Sequence, residues 1–346
     1  MNVELAELQD SVRRVIDGAG VATAESDTWT RIVELGWLMV SVPEELSGLG
    51  SGIEGAVTLH SELGRGLCCA PYLPAMLAID AICHSDLSDR EAWLERIFSG
   101  DFITAPLSDC VVRSDGSNLN GVAVGVQSAD NADHILIGTA DGEAVLLVAL
   151  DQPGIEIVAK PTWDQTRRLF NVRLTGVKLA AQTRLAQGDK ARSLIKRLLA
   201  QRDFALSADA IGSAAALLEM TVDHLQTRVQ FKRPLAMFQA LKHRCADSKA
   251  SIVAAEAMLF DSLRKVGDQL HSSDAELKAK SAKLFSTTMF ASVAEDCLQL
   301  HGGIGMADEH PCHLFLKRAL LSEQLSGSGN AYADQIAQDL LSKSAF

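Results

Sequence analysis

Apolar residues at the start of the chain fall on one helical stripe. Leu5, Leu8, Val12, Val15 and Ile16 recur at the spacing that lets an amphipathic helix bury one face. Helix-like spacing continues over residues 1–100, interrupted by the Gly-rich stretch PEELSGLGSG at 43–52, which predicts a loop. From 101 to 187 the pattern changes: Val122, Val124 and Val126 alternate, Val145–Leu150 is a short apolar run, and Leu169, Val172 and Leu174 lie among Gly116, Gly121, Gly142, Gly154 and Gly176. That predicts a small β domain of short strands and turns. Between Lys190 and His301 only Gly212, Pro234 and Gly267 interrupt a sequence dominated by Ala, Leu, Lys and Glu. Three long helices are expected at 190–232, 235–266 and 274–301, with a last one at 330–343, together an antiparallel four-helix bundle. The expected fold class is α+β, with domains at 1–100 (helical), 101–187 (β) and 188–346 (bundle). No period suggests a repeat array.

A length of 346 residues fits two or three domains with a core large enough to need no disulfide or metal staple. With 32 basic and 44 acidic residues the formal net charge is −12, which argues against nucleic acid and anionic membrane as partners, since both demand a concentrated Lys/Arg surface. A phosphate-bearing ligand must therefore meet local cations. The apolar stretches Ala144–Leu150 and Leu73–Ile82 are shorter than the ~20 residues that span a bilayer, and the acidic N-terminus MNVELAELQD is not signal-like. The expectation is a cytoplasmic protein. Seven cysteines without metal-type spacing are expected to be free thiols, with no metal site. Few aromatic residues leave no obvious platform for stacking bases.

Local motifs then join into one pattern. ELGWLMVSVPEELSGLGSG at 34–52 and SELGRGLCCAPYLP at 61–74 resemble the N-terminal helical domain of the acyl-CoA dehydrogenase family. RVQFKRPLAMFQALKHRCAD at 228–247 resembles that family's R-x-x-F-G-x-P…FQ…AD signature, and QLHGGIGMADEHPCHLFLKRA at 299–319 its Q-x-x-GG-x-G…P…R region. The motifs keep the family's order over essentially the whole chain, a joint match more specific than any one of them. The resemblance implies an FAD enzyme that desaturates an acyl-CoA thioester, with a carboxylate base taking the α-proton and an electron-transfer flavoprotein or similar acceptor downstream. It also implies a flavin shared between protomers, its ring on one and its ADP half gripped by the neighbour. On these positions the grip would comprise Arg228, Gln230, Phe231, Leu235, Phe238, Gln239, Gln299, Gly302 and Gly303. A guanidinium suits a pyrophosphate, and Gly302–Gly303 lets backbone N–H groups approach an anion. Taken singly, the same residues read as a solvated charge, core aromatics and a helix end. Lys232 stands where the family usually has Gly.

The other half of the pattern fails. Counting from Arg318, the family's base falls in SEQLSGSGNAY at 322–332, where Gly327 occupies the Glu position between Ser326 and Ser328. Neither residue type can abstract a proton. Some members place the Glu at a position corresponding to Arg202, in QRDFALSADAIG. Asp203 and Asp209 are weak substitutes, because one helical step rotates a side chain by about 100°, and Asp203 reads as a surface or cap-like charge. In TAPLSDCVV at 104–112, Thr104 and Pro106 survive, Ala105 replaces an acid and the GSD element is missing; VGVQSADNAD at 124–133 lacks the W-x-T-N-like segment, and Gly329 replaces the ring-side Thr. His243 and His301 read as structural, and KAKSAK at 278–283 as a solvated helix face. The ring-side half of the flavin site is thus eroded and the ADP-gripping half kept. This asymmetry, within the resemblance, implies the smaller, base-lacking subunit of an α2β2 acyl-CoA dehydrogenase of the kind used in bacterial steroid side-chain breakdown. Its paralogous partner would supply the Glu and most of the acyl-CoA pocket. A self-sufficient homo-oligomer with an Asp base and a non-enzymatic scaffold of the same fold are the alternatives.

Overall fold

The protein is described by a computed structural model covering residues 3–344. Its N-terminal part is helical: α1 (Val3–Ala19), α2 (Glu25–Glu34), α3 (Gly52–Arg65), α4 (Tyr72–Cys83) and α5 (Arg90–Phe98). The apolar stripe of α1 buries Leu5, Val12 and Ile16 and half-buries Leu8 and Val15. Helix α4 is apolar on nearly every side and almost wholly buried, as a core helix should be.

The middle part is two four-stranded sheets. One has the order β1 (Ile103–Thr104), β4 (His134–Gly138), β5 (Ala144–Ala149), β8 (Thr183–Gln187), with β1 parallel to β4 and the other pairs antiparallel. The other is antiparallel, in the order β2 (Arg113–Ser114), β3 (Asn118–Gln127), β7 (Leu169–Lys178), β6 (Ile155–Lys160). Side chains alternate across the first sheet. Ile135, Ile137, Leu146 and Val148 join the core with the second sheet, while Leu136, Val145 and Leu147 join the core of the N-terminal helices. Simple alternation of Val122, Val124 and Val126 does not hold. The register of β3 shifts between Ala123 and Val126, so those two are buried and Val122 and Val124 are only half-buried.

The C-terminal part is built on α6 (Gly188–Thr227), α7 (Gln239–Val266) and α8 (Ser273–His301), with α9 (Cys312–Gln324) and α10 (Gly329–Ser344) beside α8. The expected helix 190–232 ends instead at Thr227. A two-stranded ribbon, β9 (Val229–Gln230) with β10 (Arg233–Pro234), follows, and its turn residues Phe231 and Lys232 have φ of 53° and 63°. Two central residues in the left-handed region make the mirror-image turn that a tight hairpin favours. The expected helix 235–266 accordingly begins only at Gln239, after a single 3-10 turn at Leu235–Met237. Helix α9 lies in a segment that the sequence pattern had not marked as helical. Part of α6 is long and apolar enough to cross a membrane, but 72% of that window is buried within the fold. Helix α3 crosses α6 closely: a Cβ on Gly212 would lie 1.8 Å from the Ser61 carbonyl oxygen, and one on Gly64 would lie 2.4 Å from that of Asp209.

One buried ion-pair cluster ties the three parts together. Arg318 of α9 is 0% exposed. Its Nε donates to Asp164 (3.0 Å) and Thr166 (2.9 Å) in the loop before β7, and its Nη1 donates to Asp209 of α6 (3.2 Å). Nη2 donates to the carbonyl of Cys68, between α3 and α4, at 3.1 Å. Arg167 completes the set with a 2.9 Å contact to Asp209, giving two cations and two carboxylates. Removing one partner strands the others away from water. Arg318→Met is expected to lower the unfolding free energy by about 3–5 kcal/mol, measured by urea denaturation; a loss below about 1 kcal/mol would show that the cluster is not what joins the parts.

Candidate functional site

The segments that carry the ADP-gripping motif meet at one end of the bundle. The last turn of α6 lies against the last turn of α8, where the His224 and His301 rings stack with centroids 4.7 Å apart. The ribbon and its Arg228 leave from the first of these turns, and Gly302–Gly303 from the second. Arg228, Gln230, Phe231, Gln239, Gln299, Gly302 and Gly303 are exposed, and Leu235 and Phe238 are half-buried. Phe231 is 84% exposed, and the Phe238 ring lies 6.1 Å from it and beneath the Arg233 guanidinium at 4.0 Å. The Arg228 backbone is fixed by its N–H to the His224 carbonyl and by its own carbonyl accepting from Leu235, each at 2.9 Å. Gly302 has φ of +66°, which favours glycine, and a Cβ on it or on Gly303 would meet nothing within 4 Å. The surface is therefore open over a glycine pair, flanked by a guanidinium and an exposed aromatic. Lys232 keeps the left-handed turn that a glycine would take without steric cost, and its side chain adds a cation at the ribbon tip.

Beside this end His301, His310 and Cys312 bring potential ligand atoms within 4.8 Å of one another. Their polar atoms are partly committed: His301 Nδ1 bonds the Cys297 carbonyl at 2.8 Å, and His310 Nδ1 accepts the Cys312 N–H at 3.2 Å. Burial pushes the Cys312 thiol up to about 12, which disfavours the thiolate that a metal requires.

The eroded half of the pattern surrounds a cavity of about 420 Å3, lined by residues of the first sheet, α6, α8 and α10 and by Ser326. The loop between α9 and α10 presents no carboxylate to it. Gly327, at the expected base position, has φ of +123° and turns its carbonyl to the Lys283 ammonium at 3.1 Å. Lys283 is 1% exposed and stands 4.2 Å over the Tyr332 ring. This corrects the reading of 278–283 as a solvated face: Lys278 and Lys280 pair with Asp274 and Glu276 on their own helix, while Lys283 points inward. Asp203 is corrected likewise. It is 3% exposed, accepts the Tyr332 hydroxyl at 3.0 Å on each oxygen, and pairs with Arg202 at 3.0 Å. Burial alone would raise the Asp209 carboxyl, but Arg167 and Arg318 more than offset it and hold it below the usual carboxylate range. Both aspartates are therefore committed to ion pairs. Thr104 donates to the Gln127 carbonyl at 2.6 Å, so its hydroxyl is committed to the fold.

Sequence reasoning missed Lys283, Tyr332 and Arg318 as interacting groups. The usable signal was inconspicuous: Arg318 has Leu314, Phe315 and Leu321 as helical neighbours, which marks a charge on an apolar face. Burial lowers the Lys283 ammonium from the ordinary 10.5 to about 8, against the pull of Asp203. The unfolded chain then binds the proton more tightly than the folded one between those values, so this group adds stability as pH rises from about 8 toward 10.5. Lys283→Met should lack that increment. Urea denaturation of both proteins across the window should show the wild type gaining on the variant; a constant difference would contradict the buried ammonium.

Residues 4–101 match the acyl-CoA dehydrogenase N-terminal domain and residues 192–341 the acyl-CoA dehydrogenase C-terminal domain. The acyl-CoA dehydrogenase IpdE2 of Mycobacterium tuberculosis is 32% identical over 302 residues, covering 87% of this chain and 82% of that protein. IpdE2 of Mycolicibacterium smegmatis is 30% identical over 308 residues, covering 88% and 84%. Among solved structures, a variant of the Tcur3481-Tcur3483 steroid ACAD superposes with a TM-score of 0.87 at 25% identity, covering 99% of each chain. The ChsE4-ChsE5 complex from Mycobacterium tuberculosis also gives 0.87, at 24% identity over 99% of this chain and 98% of that one.

Proposed function

The chain belongs to the acyl-CoA dehydrogenase family, and on that premise we propose that it is the non-catalytic subunit of a heteromeric FAD-dependent acyl-CoA dehydrogenase. In this reading the subunit completes a partner's FAD site in trans. The partner is a Glu-containing paralogue in an α2β2 assembly and holds most of the acyl-CoA, with a steroid side chain as the substrate class. The likeness to the Tcur3481-Tcur3483 steroid ACAD and to the ChsE4-ChsE5 complex favours this over a homo-oligomer.

The observation that carries the proposal is the contrast between the two halves of the site. At the ADP-gripping end, the Arg228 guanidinium makes no hydrogen bond or ion pair among the described residues, and the Gly302–Gly303 surface has room for an anion. These residues fit an FAD diphosphate: Arg228 would supply directional charged donors, the glycines backbone access, and Phe231, Leu235 and Phe238 apolar surface for the adenine. Bound FAD would supply the hydride acceptor for the desaturation. At the ring-side end the fit fails. A carboxylate base is missing at 327, Asp203 and Asp209 are locked in ion pairs, and the Thr104 hydroxyl is spent. This chain's own contribution is thus binding and orientation, and the proton abstraction belongs to the partner. The three domains at 1–100, 101–187 and 188–346, an electron-transfer flavoprotein or similar acceptor for the complex, and a cytoplasmic location complete the proposal.

Loss of a charged hydrogen-bond partner to phosphate is worth about 1.5–3 kcal/mol, or about 10–100-fold in affinity. Arg228→Ala, co-expressed with a Glu-containing paralogue, should weaken FAD binding by that factor while leaving the complex assembled, as read by flavin absorbance after size-exclusion chromatography and by FAD titration of the apo-complex. Unchanged FAD affinity would remove Arg228 from the site.

A further inference from the structure

The cavity on the ring-side half has lost its place in the proposed chemistry, yet it is not filled. Its 420 Å3 lies within the range of about 300–1,000 Å3 common for small-molecule sites. Leu77, Leu136, Ile195 and Leu198 give it apolar surface, and Arg202 gives it a cation. A guanidinium has five N–H donors and stays charged. In Arg202, Nε donates to Asp203 at 3.0 Å and Nη2 donates to the Tyr332 hydroxyl at 3.3 Å, while Nη1 has no hydrogen-bond partner among the described residues. Among the described residues the only carboxylate bonded to Arg202 is that of Asp203, which also accepts the Tyr332 hydroxyl and lies close enough to the Lys283 ammonium to influence it. Asp203 therefore faces two buried cations, with Glu323 a further anion acting on Lys283. Lys280, also on the wall, is already matched by Glu276 and Asp339.

Arg202 is already paired with Asp203, but its Nη1 keeps charged N–H donors without an acceptor among the described residues, and a ligand carboxylate can accept from them. Asp109 and Glu276 stand elsewhere on the same wall and would repel a second negative charge. One donor edge, rather than a cradle of several, also suits a carboxylate better than a phosphate. From these features we infer that the cavity is a binding site for a hydrophobic monocarboxylate, whose carboxylate is held by Arg202 and whose hydrocarbon lies against the leucines. This ligand is distinct from the flavin and from a CoA thioester, and its binding is independent of whether FAD is gripped in trans.

Calorimetric titration of the full chain with octanoate, octan-1-ol and octanoyl-CoA tests the site. Octanoate should bind saturably, octan-1-ol at least about tenfold more weakly, since the charged hydrogen bond is lost, and octanoyl-CoA no better than octanol. Arg202→Gln should bring octanoate down to the level of the alcohol. Should that variant fail to fold because Asp203 is left unpaired, Leu199→Trp decides: Leu199 lines the cavity yet is 43% exposed, so the indole can occupy the space without disturbing the ion pairs. It should abolish octanoate binding. Absence of saturable octanoate binding, equal binding of the alcohol, preference for the thioester, or unaltered binding in Leu199→Trp would each overturn the inference.

Discussion

The Arg318 guanidinium carries five N–H donors into a region that water does not reach, and its surroundings must satisfy them. They do so with groups drawn from three distant stretches: a carbonyl between α3 and α4, Asp164 and Thr166 before β7, and Asp209 on α6. Buried polar groups without partners are expensive, so these elements cannot drift apart without exposing or stranding charge. The same cluster fixes α9 across the fold and, through Asp209, the face of α6 on which Arg202 and Asp203 sit. The end of α9 in turn sets where the Gly327 loop begins.

Two ends of one bundle have taken different courses. At the His224–His301 end, the exposed Arg228 guanidinium makes no hydrogen bond or ion pair among the described residues, and the glycine pair lies open although the Gly302 N–H is bonded to the Leu298 and Gln299 carbonyls. At the cavity end, Arg202, Asp203, Tyr332 and Lys283 satisfy much of one another, and the Gly327 carbonyl takes up the remaining ammonium. A side chain introduced at 327 would start from a backbone with φ of +123° and place its Cβ 3.4 Å from the Tyr332 ring.

The architecture was legible in the sequence where periodicity is strong: the α1 stripe, the short apolar runs of the β region, and the long Gly- and Pro-poor stretch that became α6, α7 and α8. The boundaries were not. The end of α6 at Thr227 depends on two non-glycine residues adopting left-handed conformations, which local propensity disfavours and hairpin closure imposes. The segments proposed to grip the flavin stand out as motifs because their residue types and spacing are local. The cavity network was not, because Asp203, Lys283 and Tyr332 are separated in sequence by some 80 and 49 positions. Each reads alone as an ordinary surface side chain. Only tertiary packing makes Lys283 an inward charge rather than one more member of a basic helix face.

The central claim is that flavin is held between unlike chains and not by this chain with itself. Flavin stoichiometry tests it most directly, by comparing the chain purified alone with the chain co-purified with a Glu-containing paralogue. The account predicts a colourless protein alone and one FAD for each pair of unlike chains in the complex. A yellow protein from this chain alone, whose flavin is bleached by an acyl-CoA, would contradict it.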